Sequence, residues 1–313
     1  MQKPAVETKR DGTNFAYILS ANYSGSTLLA MLLGVQRDAV TVGEMRAPHV
    51  GASEDYLCGC GEHIKKCNFW SQVSDRMAKR GIADFDITDA QLSIHDVQDR
   101  YVHRLLEPLP RGPLLEAVRS TGLAVLPAWK THLHDVHRRN VALADVLREI
   151  TGAKVVIDSS KIALHLKYLL KSADLKMKII RLVRDGRAVS NSMLTRGSKN
   201  MAAAALGWRR NNEAAECILA NVPDSQWMHV QYEELCRNPE QTLRGICEFL
   251  GMDTCEIVLD FRSREQHVLG NEMRLKSSSD IKVDERWRTK LSQEDLATFE
   301  QVAGDLNRKY GYE

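Results

Sequence analysis

Ser20-Ala21-Asn22-Tyr23-Ser24-Gly25-Ser26-Thr27-Leu28-Leu29 joins an apolar run at 15–19 to a second one that extends through Leu33. The first run has the makings of a buried strand and the second of an apolar helix. Between them the chain turns through small hydroxyl residues around a single glycine. Strand, tight loop and helix start together aim backbone N–H groups and a helix N-terminus at an anion. Ser24, Ser26 and Thr27 add hydroxyl donors at the same place. The loop is no Walker A sequence, because G-x-x-x-x-G-K-[ST] is absent. An ordinary strand-to-helix turn remains open at this point.

A second anion-binding pattern begins at Lys178-Ile179-Ile180-Arg181-Leu182-Val183, another buried-strand run, and continues as Arg184-Asp185-Gly186-Arg187-Ala188-Val189-Ser190-Asn191-Ser192 and then Arg196. A strand that ends in arginine and feeds a helix puts guanidinium groups at the carboxyl edge of a sheet, where open α/β sheets bind ligands. Arginine grips phosphate through paired hydrogen bonds. A solvated basic helix face is the competing reading.

Together these segments resemble the PAPS-dependent sulfotransferases. The first is similar to that family's 5′-phosphosulfate loop, S-G-[ST]-T-L, and the second to its 3′-phosphate motif, R-D-x-R-x-x-x-x-S. Val230-Gln231-Tyr232-Glu233-Glu234-Leu235, followed by Pro239 and 246–250, resembles V-x-Y-E-x-L…P…I-x-x-F-L, and Asp158-Ser159-Ser160-Lys161 resembles the D-S-S-K of many bacterial members. The resemblance implies a P-loop-like α/β fold and transfer of a sulfuryl group from 3′-phosphoadenosine-5′-phosphosulfate (PAPS) to a hydroxyl or amine, with no metal. It implies that residues 24–27 hold the 5′-phosphate, that Arg184 and Ser192 hold the 3′-phosphate with help from Arg196, and that Tyr232 lies near the nucleotide. His267 to Arg274 resembles a G-N-x-x-R element, which offers Arg274 to a phosphate.

The chain departs from the family at Tyr23, where many members carry Lys or Arg. Tyrosine brings no charge to the leaving phosphate, so that role is expected to pass to Lys161, after a strand at 154–157. For the general base the expectation is Glu44, in a Gly43-Glu44 pair similar to the G-E element of tyrosylprotein sulfotransferases. The nearest histidine is His49. Two other classes stay in view: a P-loop kinase-like phosphotransferase, which would need a Walker lysine, and a non-catalytic nucleotide-binding module.

Composition narrows the partners. With 313 residues and 43% hydrophobic residues, the chain can build one large α/β domain. A net charge of +2 excludes the strongly basic stripe of a nucleic-acid binder. The seven cysteines, odd in number and scattered, suit a reducing compartment. No apolar run is long enough for a membrane span. The expectation is a cytoplasmic protein acting on a small-molecule, lipid or glycan acceptor that the sequence does not name.

Along the chain, 1–13 is polar and expected to be loose. A second short strand ends at Thr41-Val42-Gly43-Glu44. Residues 51–136, with a break at 109–113, are expected to form an acceptor-facing helical insertion. Then come helix 138–151, strand 154–157, helix 161–171, strand 177–183, helix 187–196, helix 200–220, strand 227–231 and helix 239–250. A closing segment, 254–313, contains a helix near 292–309. This alternation implies a parallel sheet of about five strands with helices on both faces, in a single domain spanning 1–313.

Cys58-x-Cys60-x-x-His63-x-x-x-Cys67 has the spacing of a four-ligand zinc site. Separate reduced thiols are expected instead, since His63 is a single unsupported ligand. His132, His134 and His137, placed near a loop-to-helix junction, are expected to be exposed rather than metal-bound.

Overall fold

The computed structural model describes residues 12–45, 56–106, 113–276 and 278–313. Five strands, β1 (Thr13–Ser20), β2 (Ala39–Thr41), β3 (Val155–Lys161), β4 (Leu175–Val183) and β5 (Trp227–Gln231), form one sheet in the order β2-β3-β1-β4-β5. All four pairings are parallel. The apolar run in β1 explains its central place. Phe15, Tyr17 and Leu19 enter one core with Val156 and Ile179. The alternate residues Ala16 and Ile18 enter another with Ile157, Ile180 and Leu182. A strand apolar on both sides is stable only between two helical layers.

Helix α1 (Ser26–Gly34) leads from β1 to β2 on one side, whereas the chain from β3 passes through α6 (Ala163–Leu169) to β4 on the other side of β1. The direction of winding therefore reverses next to β1. The carboxyl edge there is a topological switch point, where such sheets bind ligands.

The insertion supplies α2 (Asn68–Lys79), α3 (Arg100–Leu106) and α4 (Pro113–Val125). Its Trp70, Val73, Met77, Leu106 and Leu123 share the core of the sheet face that carries Tyr17. Helix α5 (Pro127–Thr151) starts eleven residues earlier than the expected 138, with proline in its first turn where no N–H is needed. His132, His134 and His137 therefore ride on a continuous helix rather than at its junction. His132 and His137 are half-buried, with Nε2 within reach of the carbonyls of Ile94 (3.1 Å) and Tyr168 (2.8 Å). Burial lowers both pKa values.

The other correction of consequence concerns β3, which runs on through Asp158, Ser159 and Ser160 to Lys161, beyond the expected end at Ile157. These polar residues stay in the sheet because the register with β1 continues, Tyr17 opposite Asp158 and Leu19 opposite Lys161, with one irregularity between. Beyond β4 come α7 (Gly186–Leu194), α8 (Met201–Leu219), α9 (Tyr232–Arg237), α10 (Pro239–Leu250), the single turn α11 (Trp287–Lys290) and α12 (Gln293–Lys309). The expected loose stretch, apart from its last two residues, His49, and the expected break up to residue 112 lie outside the described residues. No helix among the described residues is long and apolar enough to cross a membrane.

Candidate active site

Gly25 precedes the first turn of α1 with φ +88. A Cβ there would lie 2.4 Å from the Tyr232 ring, so no other residue fits without displacing it. The loop thus lets α1 present its N-terminus directly beneath Tyr232. Ser24 Oγ is buried and finds no hydrogen-bond partner among the described residues. Tyr23 also has a positive φ, +64, uncommon for a residue with a side chain and typical of functional sites.

Arg184, at the end of β4, is brought against this loop. Its Nη1 donates to the Tyr23 carbonyl at 2.9 Å and its Nη2 to the Asp284 carbonyl at 2.9 Å. The guanidinium lies 4.4 Å above the Tyr232 ring. Its buried Nε has no partner among the described residues. Arg196 follows α7 and stacks 4.9 Å over Tyr23. The contact places a cation directly against the Tyr23 ring. Ser192, on the buried face of α7, donates to the Ala188 carbonyl at 3.0 Å.

Glu44 and Lys161 complete the wall opposite. Glu44 follows β2, Lys161 ends β3, and the two form an ion pair with only 16% and 12% of their side chains exposed. Lys161 has φ +71. Beneath them Asp158 is fully buried, and its Oδ1 accepts from the backbone N–H groups of Met45 (3.2 Å) and Ser160 (2.9 Å). Burial, with a smaller push from nearby Glu44, raises its pKa to about 6 against the pull of hydrogen bonds from the Ser160 hydroxyl and these backbone groups.

One cavity of about 640 Å³ is lined by Gly25, Ser26, Thr27, Glu44, Lys161, Arg184, Ser192, Arg196 and Tyr232. The geometry suits an anionic ligand: a helix N-terminus and several cations converge, and one of them, Arg184, has a buried Nε with no partner among the described residues. A larger depression of about 1210 Å³ lies at the other end of the sheet, around Gly12, Thr13 and Asp174. None of the motif residues lines it.

A model of the sulfotransferase family matches residues 16–256. The chain belongs to the sulfotransferase family. Its fold is similar to the sulfotransferase domain from the Synechococcus PCC 7002 olefin synthase, with a TM-score of 0.57 and 21% identity over 100% of this chain and 98% of that one. It is also similar to the sulfotransferase domain from the curacin biosynthetic pathway, with a TM-score of 0.50 and 18% identity over 96% of this chain and 98% of that one. No curated protein sequence matches the chain.

Two expected site residues of this sulfotransferase-family chain lie off the cavity wall. Ser24 turns into the protein beneath the loop. Arg274 is 4% exposed, with Nη1 on the Gly270 carbonyl (2.6 Å), Nη2 on that of Leu57 (2.9 Å) and Tyr56 under its guanidinium. It pins the C-terminal segment to the insertion and is not among the residues that line the cavity.

Conversely, the expected closing segment contributes Asn271, Lys276, Lys282, Asp284 and Arg286 to the cavity. Asp284 approaches Arg184 Nη2 at 3.2 Å. Arg286 first, and Arg184 after it, hold the Asp284 carboxyl far below the usual range. The alternation of basic and acidic residues over 276–286 was the available signal, but only long-range packing turns it toward β1.

The cysteines depart from expectation more sharply. Cys58, Cys60 and Cys67 are not separate, and the histidine beside them is His267 rather than His63: one ligand atom from each lies within 4.8 Å of every other. His63 instead caps the short 3₁₀ turn Ile64–Lys66, its Nδ1 accepting from the Lys65 N–H at 3.3 Å.

Proposed function

We propose that this chain transfers the sulfuryl group of PAPS to a hydroxyl or amine acceptor by in-line displacement, with Glu44 as general base. The observation that carries the reading is the meeting in one cavity of the Gly25–Thr27 loop, Arg184, Ser192 and Arg196 with the Glu44–Lys161 pair. The residues suit such a donor: Arg184, in the cavity wall, keeps a buried Nε without a partner among the described residues, as an anion site requires.

The backbone of residues 24–27 and the start of α1 would hold the 5′-phosphate, and Arg184, Ser192 and Arg196 the 3′-phosphate. The donor supplies the sulfuryl group. Glu44 takes the acceptor's proton as the new O–S or N–S bond forms, and Lys161 donates to the oxygen that departs with the bisphosphate. Such a site works by alignment and fixed charge. The acceptor would enter beneath the 51–136 insertion, and the single domain would act in the cytoplasm.

Thermal shift tests the donor. Adenosine 3′,5′-bisphosphate at a hundredfold excess over its Kd should stabilise the protein by about 2.7 kcal/mol. Adenosine 5′-phosphate, lacking the second anion, should do far less. Equal shifts, or a larger one from ATP, would overturn the assignment. Transfer of labelled sulfate from PAPS into an extract then separates an enzyme from a binding module.

A further inference from the structure

The Cys58–Gly59–Cys60 turn, the start of α2 and the segment before Leu269 meet at a point that the transfer chemistry does not use. Cys67 Sγ lies 3.4 Å from His267 Nδ1, Cys58 Sγ 3.6 Å from the same nitrogen, and Cys60 Sγ 3.7 Å from Cys67 Sγ. Around a tetrahedral zinc with Zn–S of about 2.3 Å and Zn–N of about 2.05 Å, ligand atoms should stand roughly 3.8 Å (S to S) and 3.6 Å (S to N) apart. These three spacings match the corresponding edges of that tetrahedron to about 0.2 Å, and the remaining pairs of ligand atoms all lie within 4.8 Å of one another. We propose that Cys58, Cys60, Cys67 and His267 bind one structural zinc ion.

The surroundings are built for it. The Cys58 N–H donates to the Glu62 carbonyl (2.8 Å) and the Gly61 N–H to that of Cys58 (2.9 Å), with Gly61 at φ +90, so the turn presents both thiols to one side. Gly59 carries no Cβ because one would lie 2.5 Å from the Gln266 carbonyl oxygen, and its N–H donates to Val268 at 3.1 Å. That contact draws His267 onto the turn. The imidazole stacks on Phe69 at 4.1 Å and 6°. Its far nitrogen, Nε2, faces Glu265 Oε1 at 3.4 Å. A carboxylate there fixes the tautomer that leaves Nδ1 free to ligate.

Three thiol protons leave as three Zn–S bonds form, and neutral imidazole supplies the fourth bond. Thiolate and imidazole donors favour zinc over magnesium or calcium. Four protein ligands leave no position for a substrate, which makes the site structural.

The ion would fasten the insertion to the C-terminal segment where that segment joins the sheet. Leu269 N–H donates to Val42 at 2.8 Å, and a Cβ on Gly270 would lie 3.1 Å from the Glu44 carboxylate. Metal binding thus sets the wall behind Glu44.

The test is metal analysis of the full chain, purified without chelator and with thiols reduced. About one zinc per chain is expected, together with the visible bands of tetrahedral thiolate-bound cobalt after exchange. His267→Gln and Cys60→Ser should each weaken zinc at least tenfold in competition with a chelating dye. His63→Ala should not. A chain that contains no zinc and takes up neither zinc nor cobalt overturns the site. So does a Cys60–Cys67 disulfide in the native protein, or loss of metal with His63→Ala and not with His267→Gln. Because the readout is metal content, it stands apart from any failure of sulfuryl transfer.

Discussion

Glu44 and Lys161, 117 positions apart in sequence, meet as an ion pair because β2 and β3 run parallel and lead to the same edge of the sheet. Thr41 pairs with Ile157 in register, so the next residues of both strands emerge at the same edge. Asp158 then fastens Met45, the neighbour of Glu44, to the end of β3. The pair joins a proton acceptor to a cation at one wall of the cavity.

Glu44→Gln should lower kcat by about 10²–10⁴-fold, the usual range for a lost general base, with affinity for adenosine 3′,5′-bisphosphate unchanged. Retention of more than about a tenth of wild-type kcat would exclude Glu44, and His49 would be tested next. Lys161→Ala should also lower kcat, and the double variant should fall short of the two losses combined, since each single change strands the other half-buried charge.

Arg184→Ala removes a guanidinium that bonds the loop through the Tyr23 carbonyl and offers an Nε unpartnered among the described residues. Truncating one partner of a buried charge pair costs roughly 2–5 kcal/mol. Bisphosphate affinity measured by calorimetry should fall at least tenfold while the circular dichroism stays native. Unchanged affinity would leave Arg184 as a structural tie alone.

Gly25→Ala meets two obstacles, the positive φ and the Tyr232 ring 2.4 Å from the new methyl. A left-handed non-glycine residue costs about 1–2 kcal/mol and overpacking about 1–3 kcal/mol. A drop in melting temperature and weaker bisphosphate binding are expected, and Tyr232→Ala in the same chain should recover the overpacking part. Wild-type melting and binding in Gly25→Ala would contradict the loop geometry.

Asp158 gives stability a pH dependence of known sign. Burial pushes its folded pKa up to about 6, above the usual carboxylate range, so the folded chain keeps a proton that the unfolded chain releases. Its contribution is present in full below about pH 4 and is lost as pH rises through 6. Two pKa units correspond to about 3 kcal/mol. Asp158→Asn resembles the protonated acid and keeps an Oδ1 acceptor for Met45 and Ser160. Denaturant melts should show the variant gaining on wild type between pH 4.5 and 7.5. Parallel stability profiles would refute the burial effect.

The strands were legible in the sequence because a parallel strand covered on both faces is rich in apolar residues, continuously so at 15–19 and around a single buried Arg181 at 179–183. The loop was legible because only a glycine among small hydroxyl residues makes that turn from strand to helix. The polar end of β3 was not: Asp158 to Lys161 carries no strand signal of its own and is held there by pairing with β1 and by the Ser159 N–H on the Gly43 carbonyl. The start of α5 at Pro127 was hidden for a related reason, since residues 127–137 are amphipathic only relative to a face that packing defines.

The sequence by itself determined the family and the strand-loop-helix turn at 20–29, because both are written in contiguous residues whose backbone conformation is locally encoded. Tertiary structure alone decided which distant side chains face one another. It replaced His63 with His267 beside the three cysteines, 200 positions from Cys67. It drew Arg274 away from the cavity and brought Asp284 and Arg286 into it. Spacing along a chain constrains only neighbours, whereas the segment after α10 is carried to β2 and the insertion by hydrogen bonds from Gly59, Leu269 and Arg274 that no local pattern announces.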